Sequence, residues 1–258
     1  MGKIIRTTDF VHPLDYQLKE KILSTSVVKK AIGIFFEQKL DDVNQYIYSA
    51  TNMCITNTKP ILEYLHRSCS LFGISEIPNV YLCHDYQFDV RCVGYDKPII
   101  VIPDILLKNA DSSILFGRIA SAVASIAAEH NKMEFLIWIM ENFSGIIDIP
   151  FATTAIRGML YEWSRAQGYT IDRAFLLATE NYELSLKNIL FGEVPMNALS
   201  NFTFGEKDTF DTQVQDFYRM ENLTDIISVM NNLTSCEVWI PARYKELKEF
   251  YTNCGGER

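Results

Sequence analysis

The segment Gly117–His130, GRIASAVASIAAEH, limits the possible folds more than any other stretch of the chain. From Ile119 to Ala128 it carries no charge. A helix that is apolar all round is stable only when buried, so this one must run through the centre. Gly117, Ser121, Ala124, Ser125 and Ala128 recur at three- and four-residue spacing and so share one face. Side chains this small admit a neighbouring helix at close range. The face is therefore either closed by such a helix or left as a residual cleft.

The flanking pattern sets the fold class. HPLDYQLKEKIL has proline at a helix-entry position. Val27–Leu40 and Pro60–Leu71 have helical apolar spacing, and Gly73 ends the second. NVYLCHD, QFDVRCVGYD (with a turn at Gly94) and KPIIVIPD are β-branched or aromatic runs bounded by turn residues, which predicts three strands. From Asp111, which with Ser112 and Ser113 supplies N-cap candidates, the chain is helical: through His130, over Tyr161–Gly192 with a break near Gly168, over Thr212–Leu233, and over Pro241–Tyr251. Met133–Ala155 reads as a buried helix, a turn and a second segment. This order is an α+β pattern, mostly helical with a small three- to four-stranded sheet, and not a βαβ series. No linker or repeat is visible. We expect one domain over 1–258, with a helical part at 9–72, a sheet at 78–103 and a helical remainder at 111–252.

Charge narrows the partners. Among 258 residues, 24 Lys and Arg stand against 32 Asp and Glu, a formal charge of −8. Nucleic acid and anionic membrane surfaces call for a basic footprint, which is missing. No uninterrupted apolar run reaches the roughly 18 residues a membrane helix needs. The start MGKIIRTTDF leads into polar sequence and not into an apolar signal segment, so a cytoplasmic setting is expected. The six cysteines, without CxxC spacing, are expected as reduced thiols.

Motifs for nucleotide binding, serine hydrolysis and HExxH zinc chemistry are absent. Cys83 and His84 are neighbours on a predicted strand, so they point to opposite faces and cannot easily grip one ion. Zinc sites also need three or four protein ligands.

Several separated blocks resemble the HtpX-like zinc metallopeptidases, the small bacterial type without membrane helices. They are DFVHPLD (Asp9–Asp15), LFGISEIPNVYLCHD with GYDKPIIVIPDIL, WSRAQGYTIDRAFLLAT (Trp163–Thr179) and EVWIPARYKEL. The resemblance implies a zincin-like metallopeptidase fold. It also implies that the ligands have gone. Against the family's G-H-E-x-x-H-I-x-x-x-H helix, the two zinc-binding histidines fall on Ser121 and Ser125, and the general-base glutamate falls on Ala122. Ile126 and His130 are retained. The third ligand falls on Gly168, and the histidine that assists the oxyanion falls on Glu237. The substrate-side Asn-Ala pair falls on Asp89-Val90. Asp172, Arg173, Ala174 and Arg243 of the surrounding frame are kept.

A serine hydroxyl holds its proton too tightly at neutral pH to ligate zinc well, and glycine and alanine offer no donor. Without the metal and the carboxylate, water is not activated. The resemblance thus implies a non-catalytic peptidase homologue with no cofactor. Its partner would be a protein or peptide segment paired along the edge strand Phe88, Asp89, Val90, Arg91, Cys92 and Val93. Asp172 is expected to bond Ser121 or Ser125, or to pair with an arginine such as Arg243, because an unpaired buried carboxylate is costly. Two alternatives remain. One is relocated chemistry, through a Cys236 nucleophile or through Glu237 and Asp172 holding an oxygen-loving ion. The other is a structural or oligomeric subunit using the apolar FLIWIMENF stretch. The residues do not set the oligomeric state.

Overall fold

The structure, a computed structural model, describes residues 4–37, 43, 47, 49–52, 59–84, 89–142, 150–191, 211–212, 214–216, 219 and 239–256. The chain opens with α1 (Thr7–Phe10), α2 (Pro13–Ser24) and α3 (Ser26–Glu37). Pro13 starts α2 because the first helical turn needs no amide donor there. After β1 (Thr51–Asn52) comes α4 (Lys59–Phe72), which buries Ile61, Leu65, Cys69 and Phe72 along one stripe. Gly73, at φ +68°, stops it, and Ile74 N–H returns to Cys69 C=O at 2.9 Å. This is a left-handed helix terminus of the kind glycine favours.

The sheet consists of β1, β2 (Val80–Cys83), β3 (Arg91–Val93) and β4 (Ile99–Pro103), in the order β1-β2-β4-β3. β2 and β4 run parallel, while the two outer strands are antiparallel to their neighbours. The sheet is therefore mixed, with a parallel pair at its centre that an α+β order does not announce. β1 is also additional to the three predicted strands. All five residues of β4 are buried. Ile100 and Ile102 face the main core with Leu65, Phe116 and Ile119, and Ile99 and Val101 face a second cluster with Tyr81 and Val93. Cover on both faces explains why this strand reads as an unbroken apolar run.

Next come α5 (Asp104–Asn109), α6 (Ser112–Ala127), α7 (His130–Asn142), α8 (Pro150–Thr179), α9 (Tyr182–Phe191) and α10 (Ile240–Asn253). Asp111 caps α6, accepting Ser113 N–H at 2.7 Å. α6 is the central helix, packed between α4 and α8 and buried from Phe116 to Ser125. α8 passes through Gly168 without interruption, which corrects the expected break. A single glycine inside a helix costs only about 1 kcal/mol, and packing on α2 and α6 exceeds that. The break comes instead at Glu180, at φ +53°. Of the predicted Thr212–Leu233 helix, only 212, 214–216 and 219 are described.

Among the described residues, no single helix is long and apolar enough to cross a membrane. α6 and α7 would pass together by length and composition, but they meet at 86°.

Candidate functional site

The small-residue face of α6 meets α8 directly. A Cβ on Gly117 would lie 2.3 Å from the Phe175 ring, so the helices can come this close only with glycine here. One turn on, Ser121 Oγ donates to Ile171 C=O of α8 at 3.4 Å, and Ser125 Oγ donates back to Ser121 C=O at 3.0 Å. Ser121 and Ser125 are 6% and 7% exposed, so at these positions the face is closed by the helix and no cleft is left. Ala122 is buried in the main apolar core. Gly168 lies one turn before Asp172 on α8 and is partly exposed. Glu237, Cys236 and Phe88 lie outside the described residues.

Asp172 is 2% exposed and takes up the third of its expected options. Arg243 of α10 grips it with two parallel bonds, Nε to Oδ2 at 2.9 Å and Nη2 to Oδ1 at 2.6 Å. Burial pushes the Asp172 carboxyl up, and the guanidinium opposes that rise. Arg173 is the next residue but leaves the seam, because successive helical residues point about 100° apart. Its Nη2 lies 3.5 Å from Glu246 Oε2, and its guanidinium sits 4.8 Å from the centre of the Phe250 ring. Ser121 thus meets α8 at Ile171, whereas Asp172 and Arg173 both reach α10, through Arg243 and Glu246.

These groups do not suit zinc. Both serine hydroxyls are bonded to carbonyls, Gly168 has no donor, and both Asp172 oxygens are taken. Among the described residues no three His, Cys, Asp or Glu side chains converge as metal ligands. Cys83 is buried as the last residue of β2, and His84 just past the strand is exposed. The four described cysteines, Cys69, Cys83, Cys92 and Cys254, are free thiols.

The expected peptide edge is the last strand of the sheet, β3, with Asp89 exposed just before it and Val90, Cys92 and Val93 buried. Past its end, the Gly94 and Tyr95 carbonyls are occupied by Asn131 Nδ2 at 2.7 and 2.8 Å. A strand added here would have to stop before them. Arg118, on α6 one turn before Ser121, was not marked by any motif. It is 7% exposed, with Nε donating to Asn188 at 3.0 Å. Burial lowers its pKa and the charge of Asp89 raises it, so the strand's end and the seam share one field.

The densest polar cluster was also missed. Asp15 of α2 accepts Trp163 Nε1–H at 2.7 Å and Thr170 Oγ1–H at 2.5 Å, and its Oδ2 lies 2.8 Å from His130 Nε2. All four residues are at most 1% exposed. Burial by itself would raise the Asp15 carboxyl. The hydrogen bond and charge of His130, with Thr170 and Trp163, outweigh burial and bring it below its ordinary value. One turn along α2, Lys19 Nζ donates to Ala128 C=O at 2.9 Å and pairs with Glu129, which stands at φ +60° in the bend between α6 and α7. Asp15, His130 and Trp163 each lie in or beside a block that carries the resemblance, but Asp15 stands more than a hundred residues from the other two, which hid the contact.

A cavity of about 600 Å³ lies beside α10, lined by residues that include Asp211, Arg219, Tyr244 and Lys248, and none of the seam residues lines it. No family model, curated protein or solved structure matches the chain.

Proposed function

We propose that this chain is a non-catalytic homologue of the HtpX-like zinc metallopeptidases that acts by binding an extended peptide or protein segment along β3. The observation that carries this reading is the closed α6–α8 seam. Ser121 and Ser125 stand where the resemblance calls for metal ligands, and their hydroxyls are spent on the Ile171 and Ser121 carbonyls. Chemistry at the seam would need a donor to spare, whereas strand addition needs only main-chain groups at a sheet edge. The position of β3 at the end of the sheet supports that mode.

The test has two arms. Fluorescein-labelled casein is incubated with the protein and excess zinc, and no hydrolysis is expected. Labelled casein fragments are then titrated and followed by polarisation. Successive strand amides point to opposite edges, so of Arg91→Pro and Cys92→Pro one breaks the pairing with β4 and the other removes an outward donor. The substitution that keeps the native circular dichroism should weaken binding about tenfold, the scale of one lost hydrogen bond to a main-chain partner. Zinc-dependent cleavage would remove the proposal, as would binding indifferent to both substitutions.

A further inference from the structure

The N-terminus of α2 is capped by a base. His12 is the N-cap residue, and its ring Nδ1 accepts Leu14 N–H at 3.2 Å. In the neutral ring the hydrogen must then sit on Nε2, which faces Glu246 Oε2 of α10 at 3.3 Å. We propose that His12 is a pH-responsive clasp which, on mild acidification, gives up the cap of α2 and tightens its bond to α10.

The two partners want different protonation states. A proton added at Nδ1 sets one donor against another, Nδ1–H against Leu14 N–H, so the capping bond is lost. The same proton turns the Nε2–H···Glu246 contact into a charge-assisted bond, the stronger kind. Imidazole is the side chain whose ordinary titration falls in the mildly acidic range. The ring is 16% exposed, so a proton reaches it without unfolding.

The groups facing His12 come from three helices. α10 brings Glu246, with Lys245 beside it. α8 brings Tyr169, whose ring centre is 5.2 Å away, and Arg173, whose Nη2 is 3.5 Å from the same Glu246 oxygen. α2 itself brings Asp15, which is reached through the Thr170 hydroxyl that His12 N–H touches. The hydrogen bond from His12 already holds the Glu246 carboxyl below its ordinary value.

The change does not stop at the cap. His12 N–H donates to Thr170 Oγ1 at 2.9 Å, and that hydroxyl donates to Asp15. Loosening the first turn of α2 therefore pulls on the buried cluster, while α10 is drawn in.

Nuclear magnetic resonance on the isotope-labelled full chain tests this. The His12 ring and the Leu14 amide are followed from about pH 8 to about pH 5, the range that brackets imidazole titration. The Leu14 amide shift should follow the His12 curve. Its exchange protection should fall about fivefold on protonation, the scale of one helix cap. His12→Ser keeps an oxygen acceptor that does not titrate, and it should abolish the dependence. Glu246→Gln keeps the cap but removes the carboxylate facing Nε2, so the backbone amide at position 246 should lose its response to acidification. Leu14 protection that stays constant through the His12 titration overturns the proposal. So does a pH dependence that survives in His12→Ser, or a response of the position 246 amide that survives in Glu246→Gln.

Discussion

Two buried polar regions flank α8 and differ in almost every respect. Around Asp15 a single carboxylate is shared by His130, Trp163 and Thr170 and ties α2, α7 and α8 together. At the seam the serine hydroxyls turn to backbone carbonyls, and beside it Asp172 pairs with Arg243, which joins α8 to α10. In the first region the partners are strong enough to hold Asp15 ionised against burial. In the second, burial prevails over one arginine. The two carboxylates are buried alike, so the difference lies in their partners, three side chains around Asp15 and one arginine at Asp172.

The contrast can be broken at three points. Asp15→Ala should have the largest effect. It strands the Trp163 and Thr170 donors and the His130 ring in the interior, and we expect a loss of about 4 kcal/mol in urea unfolding. A loss below about 1 kcal/mol would mean that the cluster does not hold the helices together. Gly117→Ala comes next. The new methyl must displace the Phe175 ring, and overpacking outweighs the gain in helix propensity, for a net cost of about 1–2 kcal/mol. A neutral result would show that the α6–α8 contact is looser than the distances imply.

Asp172→Asn should change stability least, by about 1 kcal/mol, because the amide oxygen still accepts from Arg243, whose side chain is 25% exposed and keeps contact with water. Its signature lies in the pH dependence. The depressed folded value of Asp15 contributes stability above the ordinary carboxylate pKa of about 4, lost as pH falls through the folded value. Asp172 has the opposite sign. Its raised folded value means that stability declines as pH climbs from about 4 towards that value. Asp15→Asn should accordingly flatten the acid loss expected of the wild type, and Asp172→Asn should steepen it. Identical profiles for the two variants would erase the distinction between the regions.

Much of this architecture was legible in the residue order, because it depends on local rules. Proline and Asp111 mark helix starts, Gly73 marks a stop, and β4 announces its double burial by its apolar run. The small stripe on α6 admitted either a close approach or a cleft, and the Phe175 ring against Gly117 realises the approach. Gly168 misled, since a helix-breaking tendency of about 1 kcal/mol yields to packing on both sides. Other features had no local trace. Of the partners expected for Asp172, only packing selected Arg243, while His12 reaches Glu246 from the far end of the chain and Asp15 gathers partners from two distant helices. Helix periods and turn residues act over a few positions and can be read in order. Which carboxylate meets which donor depends on how whole helices cross, and that is settled only when the chain packs.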